Sequence, residues 1–110
     1  MSFKITNIVG ANALECKCRS WLEHWERFTR EKAKRCFVEG CNETNDLIGG
    51  YVKWASPFAL NRYVIPFCKA HNAKPESQKL EISDSARFKA VPATVLETCR
   101  IQHPEEEAHL

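Results

Sequence analysis

Two closely spaced pairs of cysteine and histidine residues constrain this chain more than any other feature. Cys36 and Cys41 stand in RCFVEGCN with four residues between them, and Cys68 and His71 stand in FCKAHN with two between them. Zinc in proteins is held tetrahedrally by sulfur and nitrogen ligands, usually delivered as two such pairs from separate parts of the chain. The spacing therefore predicts one structural Zn²⁺ ion per chain, bound by all four residues.

The size and composition of the chain suit a small domain that needs such a staple. The chain has 110 residues, of which 44% are hydrophobic and six are cysteines, so a single domain with a modest core is expected. The net charge of +2 neither requires nor excludes a nucleic acid partner. The N-terminus lacks the apolar stretch of a secretory signal, and no apolar run is long enough to cross a membrane. We therefore expect a cytoplasmic protein with no membrane partner.

The other cysteines leave two alternatives open. A reducing compartment favours thiols or metal ligands. The alternative interpretation of the six cysteines is that they form disulfides or a redox site. Cys16 and Cys18 would face the same side of a strand, and Cys99, His24 or His103 could complete a second metal or redox site with them. The competing interpretation is that these cysteines are buried for apolar reasons and that His24 is a structural histidine.

The first part of the chain predicts a strand followed by an amphipathic helix. Residues 3–10 alternate loosely and end at a glycine, which is typical of a strand. Ser20 and Glu23 have the spacing of a capping box, which marks a helix start. The helix is predicted over residues 21–35. Its apolar face would consist of Trp21, Leu22, Trp25 and Phe28.

The middle of the chain predicts a hairpin that runs into a short helix. Residues 47–54 contain a Gly-Gly kink, residues 62–67 form a second apolar run, and the two runs have hairpin spacing. A helix would begin directly after the second strand at Cys68 and stop before Pro75. The order is thus a cysteine knuckle, a hairpin and a helix, which is the order of a treble-clef zinc module.

The remainder of the chain is expected to cover this core. Residues 80–101 favour either two short strands or a strand and a helix with Pro92 in its first turn. The last residues are acidic and poor in apolar side chains, so we expect them to fray. The single domain spanning 1–110 then divides into an N-terminal strand and helix, a zinc-binding segment, a covering segment and a tail, at residues 1–34, 35–74, 75–103 and 104–110.

Residues 35–74, about one third of the chain, resemble the zinc-containing branch of the HNH endonuclease superfamily. The motif VIPFCKAHN is similar to the family pattern in which the second strand of a hairpin runs into a helix that begins C-x-x-H-N. The resemblance implies structural zinc at the four Cys and His residues named above. It also implies an α+β architecture, with a zinc-stapled treble-clef (ββα-metal) core against which the N-terminal strand and helix would pack.

The resemblance places Tyr51 and Asn72 at the catalytic positions. Active members carry a histidine on the first strand that activates the attacking water, whereas GGYVKW has Tyr51 there. A tyrosine hydroxyl is protonated at neutral pH and is a poor general base. Asn72 could help to hold a catalytic Mg²⁺ ion but cannot replace the base. We therefore expect a non-catalytic zinc-binding module, with a Mg²⁺-dependent nuclease whose site has rearranged as the alternative.

Four basic residues surround the predicted hairpin and helix start: Lys53, Arg62, Lys69 and Lys74. In the fold that this segment resembles, the corresponding face lies on the DNA backbone, where lysine and arginine neutralise phosphates. The expected partner is therefore DNA or RNA, or alternatively a protein. A solvated charged face is the competing interpretation, and no small-molecule substrate is predicted.

Overall fold

A computed structural model describes residues 2–8, 18–56, 61–75 and 77–93 of the chain. These residues form an antiparallel sheet with the strand order β4-β1-β2-β3-β5, together with three helices, and so confirm a small α+β fold. No helix in the described part of the chain is long and apolar enough to cross a membrane. The elements are β1 (Ser2–Asn7), α1 (Trp21–Thr29), β2 (Ile48–Trp54), β3 (Tyr63–Phe67), α2 (Lys69–Asn72), β4 (Lys79–Ser83), α3 (Asp84–Phe88) and β5 (Val91–Pro92).

Strands β2 and β3 form the predicted hairpin, and its Gly-Gly pair lets other groups approach the sheet closely. A Cβ atom added at Gly49 would lie 2.5 Å from backbone atoms of Trp21 and Leu22, at the start of α1. A Cβ atom at Gly50 would instead collide with the ring of Phe67. The helix therefore rests directly on the backbone of β2, which only glycine allows at this contact.

The sheet is covered on both faces. Successive residues of a strand point to opposite faces, and cross-strand partners share a face. On one face, Val64 and Val91 pack with Trp25 of α1; we call this the α1 face. On the opposite face, a larger apolar cluster joins the sheet to the residues before β2 and to α3, through Ile5, Cys36, Val38, Val52, Ile65, Phe67, Cys68, Leu80, Ile82 and Ala86.

Helix α1 begins where the sequence predicts. Ser20 is its N-cap, and the Ser20 hydroxyl accepts a hydrogen bond of 3.1 Å from the backbone N–H of Glu23. The Glu23 carboxylate reaches back and accepts a bond of 2.9 Å from the backbone N–H of Arg19. These bonds satisfy backbone donors that the first turn of a helix leaves free.

The predicted end of α1 at residue 35 is wrong, because the helix stops at Thr29. Arg30 takes a left-handed conformation with φ of 60°, and its backbone N–H donates to Glu26 O at 2.8 Å. The Glu26 carboxylate then accepts a hydrogen bond of 2.9 Å from the backbone N–H of Ala33, beyond the helix. Side-chain bonds to backbone groups thus turn the chain out of the helical path.

The buried face of α1 also differs from the prediction. Phe28 is 48% exposed, whereas His24 is only 1% exposed. The histidine ring can be buried because its Nε2 atom lies 2.9 Å from Pro92 O, within hydrogen-bonding distance. Trp25 is buried as predicted, and its indole N–H donates to Lys89 O at 2.7 Å.

The segment after α2 contains two short strands, β4 and β5, as one of the two predicted alternatives has it, and a helix between them that lies elsewhere than the other alternative places it. Helix α3 precedes Pro92 rather than starting at it, and Pro92 lies in β5 at the edge of the sheet. Proline lacks a backbone N–H and is therefore suited to an edge strand. The expectations for Cys16, Cys99, His103 and residues 104–110 fall outside the described residues.

Candidate metal centre

The four predicted ligands come together at one point of the fold. The ligand atoms of Cys36, Cys41, Cys68 and His71 all lie within 4.8 Å of one another. His71 Nδ1 is 3.2 Å from Cys68 Sγ and 3.4 Å from Cys36 Sγ. Around a tetrahedral zinc ion, bonds of about 2.3 Å to sulfur and about 2.0 Å to nitrogen place ligand atoms roughly 3.5–3.8 Å apart. The group can therefore hold one metal ion, and no second such group of Cys, His, Asp and Glu occurs among the described residues.

The first ligand pair is presented by a tight turn. The backbone N–H of Cys41 donates to Val38 O at 3.0 Å, and Gly40, the residue before Cys41, has φ of 83°. This conformation lies in the left-handed region that favours glycine. The backbone N–H of Cys36 donates to Glu43 O at 3.0 Å. The turn, which we call the knuckle (residues 36–41), thus brings both sulfurs to one side.

The knuckle is attached to the sheet at two points. The backbone N–H of Phe37 donates to Pro66 O of β3 at 2.9 Å, and Val38 forms an isolated bridge with Ile82 of β4. These attachments hold the first ligand pair in a fixed position on the face of the sheet opposite to α1. The pair therefore meets the end of β3, where the second pair begins.

The second pair lies at the junction of β3 and α2. Cys68 is the N-cap of the helix and is 5% exposed, and His71 follows in the only full turn of α2. The backbone N–H of Asn72 donates to Cys68 O at 3.0 Å, which closes that turn. Residues three apart at a helix start project to the same side. The short helix therefore turns both ligands toward the knuckle.

Asn7 holds the end of α2 against the sheet. Its side-chain N–H₂ group donates to Asn72 O at 2.6 Å and to Lys74 O at 3.0 Å, and the residue is 2% exposed. These bonds satisfy carbonyl groups that the end of a helix leaves without partners. The sequence does not mark this role, because the bonded residues are 65 and 67 positions apart and no local pattern identifies such a pair.

The surroundings of the Cys36 thiol disfavour its charged form in the absence of a bound cation. The pKa of the Cys36 thiol is raised to about 12, mainly by burial and to a smaller extent by the neighbouring sulfurs of Cys68 and Cys41. Hydrogen bonds from the backbone N–H groups of Val38 and Cys68 act in the opposite direction. A coordinated metal ion deprotonates thiol ligands and balances their charge. Three sulfurs and one imidazole nitrogen form a donor set that suits zinc.

The positions that the HNH resemblance marks as catalytic have other contacts. The Tyr51 ring packs on Trp21 of α1, with 5.2 Å between ring centroids, and Tyr51 pairs across the strands with Val64 of the α1 face. Asn72 is held by its backbone carbonyl, which accepts from Asn7.

The four predicted nucleic-acid contacts are distributed over several elements. Lys53 lies on β2 opposite Thr6 of β1, and Arg62 precedes β3. Lys69 lines a cavity of about 360 Å³ beside the metal ligands, together with the carboxylate-bearing residues Glu43 and Asp46. Lys74 follows α2, and its backbone carbonyl accepts a hydrogen bond from the side chain of Asn7. The environment of Lys69 is therefore mixed in charge.

Part of the suspected second site is visible. Cys18 is 6% exposed, and its sulfur lies 3.9 Å from Nδ1 of His24. Burial lowers the pKa of His24, and the hydrogen bond with Pro92 O opposes this in part. The other residues of that suspected site lie outside the described part of the chain. No disulfide joins any two of the four described cysteines, which are Cys18, Cys36, Cys41 and Cys68.

The candidate centre is thus assembled from the knuckle, from the start of α2 and from the β1 residue that clamps α2. Each part is fixed to the sheet by backbone hydrogen bonds or by a buried side chain. No protein-family model, curated protein or solved structure matches this chain.

Proposed function

We propose that Cys36, Cys41, Cys68 and His71 bind one structural Zn²⁺ ion, and that the chain is a non-catalytic zinc-binding module of the HNH-like, treble-clef type. The observation that carries the proposal is the meeting of four soft or borderline ligand atoms within 4.8 Å. The order of knuckle, hairpin and helix supports the treble-clef assignment. Four protein ligands leave no open position on a tetrahedral ion, which is typical of a structural rather than a catalytic site.

The ion would join the knuckle, which is bonded to the sheet, to a helix whose own residues are not buried. Helix α2 has four residues and none of them is buried. A helix of one turn is unstable by itself, since nucleation costs more than one turn returns. Structural zinc contributes about 10–16 kcal/mol in small zinc-finger peptides, which is as large as the total stability of a typical domain, about 5–15 kcal/mol. Zinc would therefore decide whether residues 68–74 are ordered.

Metal stoichiometry tests this proposal. Native mass spectrometry of the purified chain should show one zinc ion per chain, and Cys68→Ser should abolish it. Cys18→Ser is the matched control, because Cys18 is also a buried thiol but lies outside the group of four ligands. A metal-free wild-type protein, or a Cys68→Ser variant that retains its zinc ion, would contradict the proposal.

The absence of catalysis has a separate test. The zinc-loaded protein should not nick supercoiled plasmid DNA in the presence of Mg²⁺ beyond the background shown by Asn72→Ala. We expect this result because Tyr51, at the position of the general base, packs on Trp21. Cleavage that the variant loses would instead establish a Mg²⁺-dependent nuclease with a rearranged site.

A further inference from the structure

A positively charged cleft lies between the segment that follows α1 and helix α3. It has a volume of about 200 Å³, and four cationic side chains and one carboxylate, that of Glu31, line it. The cleft therefore carries an excess of three positive charges at neutral pH. The cationic residues are Lys32, Lys34, Arg35 and Lys89. None of them belongs to the four basic residues that the sequence pattern singled out.

Arg35 is held in position by the knuckle. Its Nη1 atom donates to Cys36 O at 3.2 Å and to Cys41 O at 3.3 Å. A guanidinium group has five N–H donors in a rigid plane, so within the described part of the chain the donors on Nη2 and Nε remain for another acceptor. The loop that carries two of the metal ligands thus also orients a cation at the edge of the cleft.

The lysines of the cleft are only partly neutralised. Lys34 has no carboxylate within ion-pair distance among the described residues, and Lys32 lies 3.8 Å from Glu26 with its side chain 88% exposed. Lys89 pairs with Glu31 at 2.8 Å, and both side chains are about half exposed. Exposed ion pairs contribute little free energy. An incoming anion could therefore compete for Lys89 at small cost.

Hydroxyl groups complete the lining. Ser83 and Ser85 line the cleft, and their Oγ atoms lie 3.1 Å apart. Serine hydroxyls can donate to an oxyanion while lysine and arginine supply its counter-charge. The volume is sufficient for several water molecules, and hence for a tetrahedral oxyanion. The nearby Trp25 is 2% exposed, so it offers little apolar surface to a ligand.

We infer that this cleft binds a phosphate group. Arginine and lysine are the side chains that recognise phosphate, by paired hydrogen bonds and by charge respectively. The phosphate could belong to a small phosphate ion or ester, or to the backbone of a polynucleotide. The inference does not rest on the proposed zinc function, since it uses cations outside the group of four metal ligands.

Amide chemical shifts of the full metal-loaded chain at low salt can test the inference. The protein would be titrated with inorganic phosphate and, separately, with a single-stranded DNA oligonucleotide. Lys34→Gln should weaken binding about threefold to tenfold, as expected for one lost charged contact. Glu31→Gln should tighten binding by about threefold, because it removes the carboxylate that competes for Lys89. Lys79→Gln is the control, because it removes an exposed lysine of β4 that neither lines the cleft nor belongs to the four predicted nucleic-acid contacts.

The two titrations distinguish the source of the phosphate group. Binding of inorganic phosphate with this pattern of variants would identify a site for a small phosphate ligand. If the oligonucleotide binds and inorganic phosphate does not, the logarithm of the binding constant can be plotted against the logarithm of the salt concentration. A slope whose magnitude falls by about one in Lys34→Gln would then identify the backbone of a polynucleotide as the source. Failure of both ligands to bind would overturn the inference. An equal effect of Lys34→Gln and Lys79→Gln, or weaker binding by Glu31→Gln, would also overturn it.

Discussion

Replacing Asn7 with alanine tests whether strand β1 holds helix α2, and with it His71, in place. The Asn7 side chain donates to Asn72 O at 2.6 Å and to Lys74 O at 3.0 Å. Alanine leaves the backbone pairing of β1 intact and removes both bonds. The change thus separates the clamp from the strand that carries it.

The expected loss follows from the number of bonds. An ordinary protein hydrogen bond contributes about 0.5–1.5 kcal/mol net, so two bonds correspond to about 1–3 kcal/mol of unfolding free energy. Both carbonyls belong to half-buried residues, which water can reach in part, so the upper end of this range is not exceeded. Loss of a group that orients a metal ligand indirectly also lowers metal affinity, typically by about tenfold or more.

Two measurements check these values, and the neighbouring residue provides a control. Urea unfolding of the metal-loaded protein gives the change in stability, and competition with a chromophoric chelator gives the change in zinc affinity. Thr6→Val alters the adjacent residue of the same strand, where the Oγ1 atom is buried and makes no hydrogen bond among the described residues. Removal of an unpaired buried hydroxyl should be neutral or stabilising. If Asn7→Ala costs no more than Thr6→Val in either measurement, Asn7 does not clamp the helix.

Two further predictions concern the contact between α1 and the sheet. Gly49→Ala should lower the free energy of unfolding by about 3 kcal/mol, because its Cβ atom would meet the backbone of Trp21 and Leu22 at 2.5 Å; an unchanged urea midpoint would refute the close approach. Burial lowers the pKa of His24 below its ordinary value of 6.5, so the unfolded chain binds this proton more readily than the folded protein does. The stability that neutral His24 confers is therefore complete above about pH 6.5 and declines as the pH falls below it, by at most about 1.4 kcal/mol per pH unit. Thermal melts between pH 6.5 and 5.5 should show a smaller decline for His24→Gln, and equal declines in the two proteins would contradict this assignment.

The features that could be predicted from the sequence are those that short spacings encode. The two ligand pairs are recognisable because a turn or a single helical turn fixes the distance between their members. The start of α1 is recognisable because Ser20 and Glu23 satisfy backbone groups within the same turn. The hairpin is recognisable from two apolar runs at short separation. In each of these cases the interacting groups lie close together in the chain.

The features that could not be predicted depend on contacts between distant segments. The helix ends early because Glu26 bonds to the backbone of Ala33 rather than staying on the helix surface. His24 replaces Phe28 in the interior because a carbonyl group of β5 lies where the imidazole can bond with it. A helical period of 3.6 residues indicates that one face of α1 is apolar, but it does not show which polar side chain can be buried against the sheet. Asn7 and the charged cleft are likewise defined by the tertiary fold alone.

Removal of the metal ion tests the central claim most directly. The purified chain would be treated with a strong zinc chelator, and its thermal unfolding followed by circular dichroism. We predict that the cooperative transition is lost and that one equivalent of Zn²⁺, but not Mg²⁺, restores it, because the proposed ion would join the knuckle to a helix with no buried residue of its own. A metal-free protein that unfolds cooperatively at the same temperature as the untreated protein would contradict the claim that zinc holds this fold together.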